Sequence, residues 1–112
     1  MTNAFPAESS ETVRARVENA RAFARKRYEK SGASIRSNAD LSAREVRTFC
    51  LPDEEGDAML RAAYDSLGLS ARGHDRILRV ARTIADLDGK EKISAPHIAE
   101  AIRLRTLDRK YW

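Results

Sequence analysis

A chain of 112 residues is long enough for one domain with a genuine core and too short for a complete nucleotide-driven machine. Twenty-one Lys and Arg against 17 Asp and Glu leave a net charge of +4, an excess too mild for a basic nucleic-acid tail, and the lone Cys50 excludes an intrachain disulfide. With three prolines and five glycines in a chain rich in Ala, Leu, Arg and Glu, composition favours helix over sheet, and no aliphatic run approaches the length of a membrane span.

No signal-peptide pattern opens the chain, so a soluble, cytoplasmic protein is expected. Residues 1–7 read as an unstructured lead and residues 8–112 as a single helical domain. Glu8, Ser9, Ser10 and Glu11 supply hydroxyl caps and first-turn acids. Val13, Val17, Ala20, Ala24 and Tyr28 then recur in steps of four and three, which predicts an amphipathic helix from about Ser10 to Lys30. The same stretch concentrates charge: seven basic residues from Arg14 to Lys30 stand against Glu18 and Glu29. Such a face suits DNA or a protein partner, and equally a solvated surface. Gly32 to Asp40 has no period and reads as a loop.

Ser42-Ala43-Arg44-Glu45 is a capping box, opening a short helix through Val46, Phe49 and Cys50 that Pro52 terminates. Asp53 can cap the next helix, whose expected stripe is Met59, Leu60, Ala63, Tyr64 and Leu67, with Gly68 as its left-handed end. The acids from Asp53 to Asp57 complement that helix's dipole, so no metal is assigned to them. Cys50 reads as a half-buried apolar residue, and His97 as a surface or half-buried structural histidine.

The spine of the chain is expected at about Ser70–Asp88. Ser70 is its cap, and Ile77, Leu78, Val80, Ala81, Ile84, Ala85 and Leu87 fall in one broad arc. Arg72, Asp75, Arg76, Arg79, Arg82, Thr83 and Asp86 take the other side. Arg72 is out of place in a first turn, where the macrodipole disfavours a cation. A helix N-terminus with an arginine fork is, however, a good receiver of phosphate. Arg76 and Arg79 either extend that surface or pair with Asp75 and Asp86. After a turn at Asp88-Gly89-Lys90, Ser94 and Pro96 start a last helix, carried by Ile98, Ala101, Ile102, Leu104, Arg105 and Leu107. Tyr111-Trp112 either pack on the bundle or trail. The reading is all-α, a bundle of five helices.

The stretch LSARGHDRILRVARTIADLDG, followed by ISAPHIAEAIRLRTLDRK, closely resembles the C-terminal region of the magnesium-chelatase-related AAA+ ATPases of the competence-protein M type. Magnesium chelatase proper is a less close match, given VARTIADL and the LDR tail. The resemblance implies a lid-type bundle that closes over ATP bound to a core outside this chain. It makes Arg72, the arginine of the L-S-x-R motif, the sensor-2 residue facing the γ-phosphate. ATP and Mg²⁺ would belong to the complete ATPase, expected as a homo-hexameric motor of the type that includes DNA branch-migration helicases. Arg14 and Arg16, with Arg21 and Arg25 further along the same helix, are expected to face a neighbouring protomer or DNA. Arg103, Arg105 and Arg109 match family positions without an assigned role.

The chain contains no G-x-x-x-x-G-K-[ST] loop for phosphates, so these residues alone are expected to be non-catalytic and to bind no cofactor. A stand-alone basic helical module for nucleic acid or a protein partner is the competing reading. Against it stand the modest charge and the lack of a recognition motif or an aromatic stacking array.

Overall fold

The helix with the broadest apolar arc is also the one that touches most of the others. The structure, a computed structural model, describes residues 10–111, with side chains described through residue 105. It contains α1 (Ser10–Ser31), a 3₁₀ turn (Asn38–Asp40), α2 (Ala43–Phe49), α3 (Glu54–Leu67), α4 (Ala71–Leu87) and α5 (Ala95–Tyr111). α1, α2, α5 and the 3₁₀ turn all pack on α4, while α3 packs on α5. The architecture is an all-α bundle with no strand among the described residues. The expected lead at residues 1–7, the roles of Leu107 and Arg109 and the packing of Tyr111-Trp112 lie outside what is described.

Local chemistry sets most of the boundaries. The Ser42 hydroxyl accepts from the Glu45 amide at 3.2 Å, and the Glu45 carboxylate accepts from the Ser42 amide at 2.9 Å, completing the capping box of α2. Asp53 caps α3 through the Gly56 amide at 2.8 Å, and Ser70 caps α4 through the Gly73 amide at 3.1 Å. Gly68 ends α3 with φ +62°, in the left-handed region that a side chain disfavours. α4 ends at Asp88 in a Schellman arrangement: the Lys90 amide donates to Ala85 O at 2.8 Å, and the Gly89 amide donates to Asp86 O at 3.0 Å.

The loop before α3 is pinned to the start of α5 by the Asp53 amide, which donates to Ile93 O at 2.7 Å. Position 56 is tightly packed: a Cβ there would sit 3.1 Å from Pro52 Cβ and 3.3 Å from Ile93 O, so its neighbours would have to give way by a few tenths of an ångström.

The core gathers Tyr28, Leu41, Val46, Leu60, Ile77 and Ile98 with their neighbours. Three expectations about burial need correction. On α4 the buried residues are Ile77, Leu78, Ala81, Arg82, Ala85 and Asp86, while Val80 and Ile84 are only half-buried and Leu87 is 37% exposed. The buried stripe is therefore rotated toward two charges expected on the polar side. On α3 only Leu60 and Ala63 of the expected stripe are buried; Met59, Tyr64 and Leu67 stay exposed on this edge helix, whose main packing partner is α5. Cys50 and His97 are fully rather than half-buried.

Candidate functional site

The fork of Arg72 stands at the start of α4, exposed, two residues past the Ser70 cap. Arg76 and Arg79 follow at one-turn spacing on the same face. With Ala39, Val80 and Thr83 these three arginines line a shallow cleft that contains no carboxylate. Arg72 makes no hydrogen bond or ion pair with any other described residue. Arg79 turns back to the bundle, donating from Nε to Leu41 O at 2.9 Å, and Thr83 donates to Arg79 O at 3.3 Å. The oxygens of Asp86 are taken by Arg27, Arg82 and Asn38, so Arg79 finds its partner in Leu41 O instead.

Asp86 is 3% exposed and lies at the centre of a buried polar cluster. Arg27 of α1 reaches across with both terminal nitrogens, Nη1 to Oδ1 and Nη2 to Oδ2, each at 2.8 Å. This is the fork-to-fork geometry of a strong arginine–carboxylate pair. Arg82 approaches Asp86 Oδ1 at 3.1 Å and spends its two terminal nitrogens on Glu91 O and Lys90 O, each at 2.7 Å. Asn38 donates from Nδ2 to Asp86 Oδ2 and to Thr83 Oγ1, both at 3.0 Å. Its Oδ1 accepts from the Tyr28 hydroxyl and, at 3.1 Å, from Arg27. Tyr28 in turn packs edge-on against Phe49 with centroids 5.1 Å apart.

These contacts decide the charges. Burial works against the cation on Arg27, but its bonds to Asp86 and Tyr28 outweigh burial and hold it protonated more firmly than usual. Arg82 shifts the other way: burial lowers it, and the attraction of Asp86 does not fully offset that while Arg27 repels it. Burial likewise raises Tyr28 above its ordinary range. Each arginine keeps a buried Nε without a partner, so both are anchored chiefly through their terminal nitrogens. Composition marks none of this. Arg82 and Asp86, four residues apart on the side of α4 expected to be polar, are the local signal that the sequence offers.

The basic residues of α1 divide. Arg21 and Arg25 line a second groove with Arg36, between α1, the 3₁₀ turn and the C-terminal half of α4, while Arg14 and Arg16 are exposed and do not line it. The two clefts share Ala39 and Thr83. Arg103 pairs with Glu100, donating from Nε at 3.1 Å, and Arg105 is half-buried.

His97 caps the start of α5. Its Nδ1 accepts from the Ser94 amide at 3.0 Å, and Nε2 lies 3.0 Å from Asp88 Oδ2. The acids at the start of α3 are likewise structural: Asp53 caps the helix, and Asp57 pairs with Arg61 at 3.0 Å. Cys50 is pushed up to about 11 by burial, which makes its thiol a poor nucleophile. Among the described residues no three His, Cys, Asp or Glu side chains gather as a metal site would need, and no helix is long and apolar enough to cross a membrane.

An all-α bundle on a central helix whose N-terminal half presents arginines and whose C-terminal half buries them is the class of domain in view. By sequence comparison the chain belongs to the family of C-terminal domains of the magnesium chelatase protein ChlI, which matches residues 7–105. It is 42% identical over 104 residues, 93% of the chain, to the uncharacterized protein YifB of Escherichia coli K12. It is 38% identical over 102 residues, 91% of the chain, to competence protein ComM of Haemophilus influenzae. To the uncharacterized protein Rv2897c of Mycobacterium tuberculosis H37Rv it is 38% identical over 103 residues, 92% of the chain. The chain spans about one fifth of the length of these relatives, 19% for the first two and 20% for the third. No solved structure matches it significantly.

Proposed function

We propose that this domain is the helical lid of a magnesium-chelatase-like AAA+ ATPase, closing over ATP held by a core outside the chain, with Arg72 as the sensor-2 residue. The observation that carries the reading is the state of Arg72. It is exposed at a helix N-terminus, free of any described partner, beside a cleft lined by two further arginines, a threonine and no carboxylate. The dipole disfavours a cation there, so the helix gains nothing from it locally. A polyphosphate would gain both the helix's free amides and a charge-assisted fork. Arg79 is partly committed to Leu41 O and serves to shape the cleft, leaving Arg72 as the principal contact.

On this reading the chain alone turns over no ATP, and ATP with Mg²⁺ engages only the complete protein. The likeness to a competence protein extends the proposal to the whole machine: a homo-hexameric motor acting on DNA during branch migration.

The experiment is Arg72→Ala in the full-length ATPase, with Arg72→Lys beside it. Removing a hydrogen bond to a charged group costs about 1.5–3 kcal/mol, so turnover should fall by about one to two orders of magnitude. Lysine should rescue only part, because it lacks the planar fork. Unchanged turnover in Arg72→Ala would remove the sensor assignment.

A further inference from the structure

We propose that the groove between α1 and the C-terminal half of α4 docks an acidic amphipathic helix of a protein partner. Its floor is apolar: Val17, Ala20 and Ala24 from α1, and Leu87 from α4. The α1 stripe continues outward to Val13, which is 44% exposed, and Leu87 is an apolar residue left 37% exposed at the end of an otherwise well-packed helix. The rim is cationic. Arg21, Arg25 and Arg36 line the groove, and none makes a hydrogen bond or ion pair with a described residue. The carboxylate in the lining, Asp86, is buried beneath the surface with both oxygens bonded to arginine. The accessible groove therefore offers a strip of small apolar side chains flanked by uncommitted cations.

That combination selects the occupant. A nucleic-acid backbone would use the arginines but has nothing to bury on valine, alanine and leucine, and no aromatic ring lines the groove for a base to stack on. An amphipathic helix uses both features, laying its apolar stripe on the floor and its carboxylates against the rim. Arg21 and Arg25 are one turn apart, a rise of about 6 Å, which is also the spacing of carboxylates four residues apart on a facing helix. The inference goes beyond the nucleotide reading and does not depend on it, since Arg72 does not line this groove.

The test is titration of the purified 112-residue chain into a labelled amphipathic peptide with leucines along one face and glutamates flanking them. Three comparison probes are used: the same peptide with glutamine for glutamate, the same with serine for leucine, and a single-stranded oligothymidylate of equal charge. The acidic peptide should bind at least about tenfold more tightly than either altered peptide and more tightly than the oligonucleotide. Arg21→Glu combined with Arg25→Glu should weaken it at least about tenfold with unchanged helical circular dichroism. Arg36→Glu, in the loop that follows α1, should weaken it independently, and Arg72→Ala should leave it unchanged. Equal binding of the glutamine or serine peptide, or insensitivity to the rim variants, would overturn the proposal. Tighter binding of the oligonucleotide would overturn it in favour of a nucleic-acid surface.

Discussion

The two halves of α4 carry the same kinds of charged residue and put them to opposite use. In the C-terminal half, Arg82 is 2% exposed and Asp86 is 3% exposed. In the N-terminal half, Arg72 and Arg76 face solvent. Helix propensity and hydrophobic periodicity do not distinguish them. The difference is the supply of partners: α1 brings Arg27 to Asp86, the 3₁₀ turn brings Asn38, and the turn after α4 offers the carbonyls of Lys90 and Glu91 to Arg82. No described group is brought to Arg72. A charge is buried where the fold can satisfy it.

Asp86→Ala attacks this contrast hardest. It leaves the buried Arg82 and the half-buried Arg27 without their carboxylate, and the cost should be about 3–5 kcal/mol, read as the shift in a urea unfolding midpoint. Arg82→Met comes next. It frees two carbonyls but leaves Arg27 and Asp86 matched, so about 2–3 kcal/mol is expected, and a loss equal to that of Asp86→Ala would show that the cluster is not centred on the carboxylate.

A pH titration probes the same region. Burial holds the Cys50 thiol neutral up to about 11, above its ordinary value of 9.0. Because the folded form resists deprotonation, stability should be complete below pH 9 and fall as pH rises toward 11, by about 2 kcal/mol from this group. Cys50→Ala should flatten that alkaline slope, which comparing the two stability profiles between pH 8 and pH 11 would check.

Effects in the N-terminal half should be smaller. Ser70→Ala removes the cap on the Gly73 amide and should cost about 1 kcal/mol, seen in the thermal midpoint of the chain. Arg72→Ala should change stability by no more than about 0.5 kcal/mol. A destabilisation by Arg72→Ala comparable to that of Asp86→Ala would mean the two halves are not the opposites described.

The sequence was legible wherever the deciding partner lies a few residues away. The Ser42–Glu45 box, the caps at Asp53 and Ser70, and the left-handed Gly68 are all settled within one helical turn. The helical spacing of Arg72, Arg76 and Arg79 likewise placed them on one face. The buried cluster was illegible because Arg27 and Asp86 are 59 residues apart and Asn38 and Asp86 are 48 apart. Periodicity sees a charge on a helix; it does not see what tertiary packing brings to meet it. The same limit hid Arg36, which only the folded loop brings to the same groove as Arg21 and Arg25.

The Schellman turn and the carbonyl grip of Arg82 give α4 a mechanical character. Seventeen helical residues make a rod about 25 Å long. Its far end is locked to α1 through Arg27 and to the following turn through Arg82, so that end does not fray under load. The end that carries Arg72 has the Ser70 cap in place of such charged clamps, so the two ends of the rod are fastened by different means.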